Sequence, residues 1–139
     1  MSEDFSEYKS AFWTVKYPPE WIAEIHPGGV SFYGEHGVGA LQIRADSKDR
    51  EVTTEDLYEL IEAELPRDVS LNNVEAGDFK GLATEFEYKN HFWRHWILSK
   101  RTVLLDISYN CEPEVCEVER ELIEQIVNSL KLQASDFGR

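Results

Sequence analysis

Few side chains in this 139-residue sequence are placed to do chemistry together. His95 and Asp106 lie in neighbouring runs, 91–99 and 102–109, that read as the arms of one hairpin, and Glu85 stands in the strand before them. A two-residue loop at Lys100-Arg101 sets Ser99 opposite Thr102, Trp96 opposite Leu105 and His95 opposite Asp106. A histidine held against a carboxylate can be an oriented general base or can support a metal ligand. The same pair is also the ordinary polar contact of a half-solvated sheet face. No Ser, Cys or Thr nucleophile sits beside it in an elbow motif, and no third group is spaced to complete a metal site. The structural role is therefore the expectation, with no metal and no cofactor.

Strand register decides which residues share a face with this pair. In the hairpin, Phe92, Arg94, Trp96, Leu98, Val103, Leu105, Ile107 and Tyr109 form one face, which reads as core. Trp93, His95, Ile97, Leu104, Asp106 and Ser108 form the other. A two-residue loop at Lys89-Asn90 would put Glu85 and Glu87 on the core face, whereas a three-residue loop, Lys89-Asn90-His91, puts Phe86 and Tyr88 there. Burial chooses the longer loop, because a one-residue slip turns every side chain over. Glu85 then joins His95 and Asp106 as the candidate constellation. Trp93, His95, Ile97 and Leu104 become the candidates for partner contact, unless a helix covers them.

Other reactive groups read as structural. Cys111 and Cys116 flank the expected start of a second helix, where the dipole could lower a thiol pKa. Their spacing fits neither a Cys-x-x-Cys pair nor a zinc knuckle, so reduced thiols are expected. Gly28-Gly29 and Gly34…Gly37-Val38-Gly39 lack a following Gly-Lys-Ser/Thr and are turns. His26 and His36 fall in turns and are expected to face solvent.

The elements that must position these residues follow from pattern and punctuation. Residues 1–11 are polar and expected to be flexible, and 133–139 form a tail. Phe12 to Tyr17 alternates up to Pro18-Pro19, and Trp21 to Ile25 closes at Pro27-Gly28-Gly29. Val30 to Tyr33 and Val38 to Ala45 form a hairpin, with Leu41, Ile43 and Ala45 on one face. Thr53 or Thr54 caps a helix carrying Leu57, Leu60, Ile61 and Leu65, which Pro66 ends. Val69 to Phe79 is extended, Lys80-Gly81 turns, and Leu82 to Tyr88 returns. A second helix from Pro113 shows Val115, Val118, Leu122, Ile126 and Leu130 as its stripe. Strands, helix, strands, helix make one α+β domain around an antiparallel sheet, with two helices available to cover its faces.

Composition narrows the partners. Lys plus Arg is 14 and Asp plus Glu is 27, for a net charge of −13 and a pI near 4.6. Clustered cations for nucleic acid are lacking, and an anionic membrane surface would repel the chain. The hydrophobic fraction of 42% and aromatic fraction of 12% suffice for a core. The opening residues show no basic stretch leading into an apolar run, so a cytoplasmic location is the expectation.

The order of motifs resembles a known family over residues 12 to 132. An aromatic strand leads into Tyr17-Pro18-Pro19-Glu20-Trp21. Later come Gly77-Asp78-Phe79-Lys80-Gly81-Leu82, a Trp-bearing strand, Leu105-Asp106-Ile107-Ser108-Tyr109, a Glu-rich helix and Ile126-Val127-Asn128-Ser129-Leu130. This is similar to the PsbP/Mog-like superfamily of small α/β/α sandwich domains. The resemblance implies an antiparallel sheet flanked by two helices and a mostly non-enzymatic role. Members include a photosystem extrinsic subunit, a Ran-binding factor, bacterial lipoproteins, and chaperones or adaptors of type VI secretion effectors. The expected function is thus a bacterial, cytoplasmic protein-binding module, such as an effector chaperone or an immunity protein. Its acidic charge favours a basic partner. The alternatives are a small-molecule binder or weak hydrolase built on His95, Asp106 and Glu85, and a homodimeric structural subunit.

Overall fold

Two strands in the middle of the chain are buried along almost their whole length, and the rest of the fold supplies their covers. In the computed structural model, which describes residues 4–133, these are β8 (His91–Lys100) and β9 (Val103–Cys111). Before them come β1 (Ser6–Lys9), β2 (Trp13–Tyr17), β3 (Trp21–His26), β4 (Gly29–Gly34), β5 (Gly39–Ser47), α1 (Thr54–Glu64), β6 (Asn72–Ala76) and β7 (Phe79–Tyr88). A 3-10 turn at Pro113–Val115, α2 (Arg120–Asn128) and β10 (Lys131–Leu132) follow. Seven strands form one antiparallel sheet in the order β3-β4-β5-β9-β8-β7-β6, and β1-β2-β10 form a second, small sheet.

Alternation along the strands sorts the core into two clusters. Phe32, Leu41, Ile43, Trp96, Leu98, Leu105, Ile107 and Tyr109 pack with Trp13 and Val15 of the small sheet and with Ile123, Ile126 and Val127 of α2. Leu82, Ile97 and Leu104 pack with Leu57 and Ile61 of α1 and with Leu65 just after it. α1 forms where its cap residues direct. Thr53 Oγ1 accepts from the Asp56 backbone N–H at 3.2 Å, and Asp56 Oδ2 accepts from the Thr53 N–H at 2.8 Å. Arg50 grips Asp56 with both terminal nitrogens, at 2.7 and 2.9 Å, and holds its carboxyl far below the usual range.

Several sequence expectations are corrected. Residues 6–9 are not loose: they pair with β2 as β1. Residues 1–3 and 134–139 lie outside the described residues, while Gln133 donates its backbone N–H to Phe12 O. The turn before β7 is at Gly77-Asp78, not Lys80-Gly81, because Gly77 takes φ +60. Lys80 and Gly81 pair within β7. Ala45, expected on the core face with Leu41 and Ile43, is exposed where β5 runs past the core. The second helix begins at Arg120 rather than Pro113, and Val118 is 65% exposed. Glu119 explains the late start. It turns inward, accepts from the Tyr109 hydroxyl at 2.7 Å and the Val38 N–H at 3.2 Å, and sets the phase of the buried stripe at Ile123, Ile126 and Val127.

Both hairpin registers differ as well. β7 and β8 turn through two residues, Lys89 and Asn90, at φ 53 and 66, so Tyr88 faces His91 and Glu85 faces Arg94. Glu85 thus lies on the α2 side of the sheet, away from His95. A carboxylate on that face is tolerated because Arg94 and Arg120 neutralise it there. The β8–β9 turn is at Arg101-Thr102, and Lys100 pairs with Val103. This shift of register keeps every face assignment and changes only who stands opposite whom. His95 faces Ser108 and Asp106 faces Ile97.

Glycine positions separate backbone strain from crowding. A Cβ on Gly77 would lie 1.9 Å from Leu130 O, while one on Gly28 (φ +90) would meet nothing within 4 Å. Gly28→Ala is expected to cost about 1 kcal/mol from backbone conformation alone. Gly77→Ala should cost clearly more, because the turn must also leave the chain reversal into β10. Urea melts of the two variants beside wild type check this. Equal losses would contradict the packing at Leu130.

Candidate functional site

Four strands and the end of α1 build the site, which keeps His95 and Asp106 on one face of the sheet and leaves Glu85 on the other. Gln42, Ser108, His95 and Thr84 stand in one transverse row across β5, β9, β8 and β7. Arg44, Asp106, Ile97 and Leu82 make the next row, and Ala40, Asn110, Trp93 and Phe86 the row on the other side. α1 lies over the apolar end of this face and stops at Leu65-Pro66. A cleft of about 510 Å³ opens there, with Arg44, Glu64, His95, Asp106, Phe86 and Trp93 among its lining.

The polar floor is a connected network. His95 Nε2 lies 2.6 Å from Asp106 Oδ1 as a diagonal rather than a direct cross-strand neighbour. A carboxylate can only accept, so Nε2 carries the proton and, in the neutral ring, Nδ1 carries the lone pair. Arg44 donates from Nη2 to Asp106 Oδ2 at 2.5 Å and to Glu64 Oε1 at 2.9 Å. Burial pushes the Asp106 carboxyl up, but the hydrogen bonds and charges of His95 and Arg44 outweigh it and hold it below its ordinary value. The apolar wall is Trp93 stacked on Phe86, with centroids 6.5 Å apart and planes within 13°. Tyr88, at the rim, is 52% exposed.

His95 and Asp106 are thus joined, though as diagonal neighbours and not as the directly opposed pair the sequence led us to expect, and Glu85 is not with them. Arg44 and Glu64 complete the network instead. Nothing in the local sequence points to either, since one comes from a distant strand and the other from the last turn of a helix. Of the partner-contact candidates, Trp93 lines the cleft. Ile97 and Leu104, 1% and 7% exposed, are sealed beneath α1 and cannot meet a partner. His26 is half-buried against Ser31 Oγ at 2.9 Å rather than simply solvent-facing, whereas His36 is exposed. Cys111 and Cys116 are both free, and burial pushes the Cys111 thiol up, opposite to a dipole effect. α2 starts beyond both of them.

Glu64, His95 and Asp106 place one ligand atom each within 4.8 Å of one another. That spacing could hold a metal ion, but Arg44 already bridges the two carboxylates, where a cation would sit, and His95 Nε2 is turned to Asp106. The donor set therefore fits an internal ion-pair network better than a metal.

No family model matches the chain, and no curated protein matches it in sequence. Solved structures do. A protein from Bacteroides thetaiotaomicron superposes with a TM-score of 0.75 at 15% identity, over 94% of this chain and 49% of that one. This chain spans about half the length of that protein. The solution structure of cyanobacterial PsbP (CyanoP) from Synechocystis sp. PCC 6803 gives 0.62 at 16% identity, over 96% and 94% of the two chains. The fold is PsbP-like. LpqN of Mycobacterium tuberculosis, involved in cell envelope biogenesis, shares it with a TM-score of 0.56 at 11% identity, over 94% and 92%. At such identities the likeness is one of backbone arrangement, and the PsbP-like fold alone assigns no activity. No helix among the described residues is long and apolar enough to cross a membrane.

The depressed Asp106 carboxyl makes a prediction about acid stability. Its contribution is fully present above the unfolded value, about 4, and is lost as pH falls through the lower folded value. Asp106→Asn should be less stable than wild type by about 1–3 kcal/mol near neutrality, because one amide oxygen cannot serve both His95 and Arg44. The gap should narrow below pH of about 4. Urea melts from neutral pH down to about 3 measure it. A constant gap would mean that Asp106 is not charged in the folded protein.

Proposed function

We propose that this chain is a non-enzymatic protein-binding module, acting in the cytoplasm as an effector chaperone or adaptor, or as an immunity protein. The observation that carries this reading is the aromatic wall of the cleft at the end of α1, beside sheet face that α1 leaves open. Trp93 is half-buried, Tyr88 is exposed, and Ile22 on β3 is 41% exposed on the same face. Aromatic groups next to a hydrogen-bonded polar rim are the usual makings of a contact surface. With α2 on the opposite face, we read the architecture as an α/β/α sandwich whose α1 layer is short. The free thiols support a reducing compartment. A net charge of −13 favours encounter with a basic partner.

The expected result is specific to the surface. Immobilised wild-type protein and a Val118→Ser control, altered on an exposed site near α2, should retain the same protein from native lysate in near-stoichiometric amount. Tyr88→Ser should retain much less while melting at the same temperature as wild type. Equal retention by all three, or none, would sink the reading.

A second reading rests on the His95–Asp106 hydrogen bond, which also suits a small-ligand site or a weak hydrolase. His95→Gln distinguishes the two. Turnover of a small ester lost with unchanged folding favours chemistry, while a loss of stability without any turnover to lose favours the structural pair.

A further inference from the structure

The α2 side of the sheet shows how this chain accommodates a guanidinium. Arg94 lies over the Trp96 ring at 4.6 Å, between Glu85 at 3.3 Å and Glu124. Arg120 lies over the Phe92 ring at 5.9 Å, and is held by Glu85 at 2.5 and 2.9 Å and by Glu117 at 2.9 Å. Each arrangement joins a planar cation, an aromatic face and two carboxylates, and Glu85 serves both arginines at once.

The cleft at the end of α1 repeats the aromatic and acidic parts on the opposite face. Trp93 and Phe86 form the wall, and Glu64 and Asp106 the acidic side. The guanidinium already present, Arg44, is drawn to the acidic side and bound to both carboxylates. Among the described residues no cation lies over Trp93 or Phe86; the rings so covered are Tyr88, Trp96 and Phe92. Glu64 engages Arg44 through Oε1 and is 32% exposed, so it is open to a second partner as Glu85 is. Arg44 is offset by Glu64 and Asp106 together, so the carboxylates of the cleft outnumber its guanidinium.

Resting on the protein-binding reading above, we propose that this cleft takes an arginine side chain from a basic segment of the partner. The guanidinium plane lies against Trp93 and its N–H groups point to Glu64. Arginine fits better than lysine, since a planar, weakly hydrated cation can stack and bridge together. The cleft, at about 510 Å³, has room for the side chain. The acidic surroundings draw a basic segment in, which makes the association salt-sensitive.

The test uses the isotope-labelled whole chain and ¹H–¹⁵N NMR. The probes are the blocked tripeptide acetyl-Ala-Arg-Ala-amide and its isosteric citrulline counterpart, each titrated to tens of millimolar. The arginine probe should shift the Trp93 indole and the Glu64–Leu65 amides saturably, at least about fivefold more tightly than the citrulline probe. Glu64→Gln should weaken it by about threefold or more, while Val118→Ser should leave it unchanged. Equal binding of the two probes would overturn the cationic preference, and no shift in the cleft would overturn the proposal altogether. The protein-binding reading is judged separately by Tyr88→Ser retention. Retention that depends on Tyr88 with a silent arginine probe sinks this proposal alone, and loss of both sinks the two together.

Discussion

The two-residue turn at Lys89-Asn90 sets the parity on which the site depends. Side chains alternate along a strand, so this turn alone decides whether Glu85 or Phe86 shares a face with His95. With both turn residues in the left-handed region, Glu85 goes to the α2 side and Phe86 to the α1 side. Each then finds what it needs. Glu85 meets Arg94 and Arg120, and Phe86 stacks on Trp93. Had the turn held three residues, the aromatic wall and the acid bridge would have changed places. Neither Arg94, buried at 6% exposure, nor Trp93 would then keep its partner.

Four arginines of this acidic chain, Arg44, Arg50, Arg94 and Arg120, are each within ion-pair distance of a carboxylate. Asp106 and Asp56 are buried, whereas Glu85 and Glu124 reach Arg94 from the exposed side and Arg94 itself is the buried partner. Pairs exposed to water contribute little. Those around Asp56, Asp106 and Glu85 do more because the acid also accepts hydrogen bonds that orient a neighbouring element. Asp56 fixes the start of α1, Asp106 holds His95 and Arg44 on the floor of the cleft, and Glu85 ties α2 to the sheet. Removing any one acid leaves an arginine or imidazole short of its partner, and in the interior that is a larger loss than the attraction itself.

The two covers of the sheet are unequal. α2 and the small β1-β2-β10 sheet close one face over a continuous apolar cluster, while α1 seals Leu82, Ile97 and Leu104 and stops. The row of Gln42, Ser108, His95 and Thr84 falls just beyond its end. A face that is half core and half polar does not need a full helical lid, and the seam between the two halves is where a concave, mixed surface forms. The PsbP-like fold thus supplies the scaffold, and the length of α1 determines where on it the cleft opens.

Much of this was legible from residue types alone. The α1 start at Thr53 or Thr54, its stop at Pro66, and the faces of β8 and β9, which put His95 and Asp106 on one side, all follow from local chemistry or from period-two burial; that Thr53 is the cap and that the pair meets diagonally do not. A register error of two residues at Arg101-Thr102 left those faces intact, since alternation is blind to it. The membership of the cleft was not legible. The place of Glu85 is not visible strand by strand, because Arg120, which neutralises it on the α2 side, comes from a distant helix. Arg44 and Glu64 were missed because they meet Asp106 only after β5 pairs with β9 and α1 folds across the sheet. Short-range sequence determines α1 and the faces of β8 and β9, whereas the pairing of β1, the face of β7 and the positions of charged groups depend on long-range partners, and only the tertiary structure brings those partners within reach.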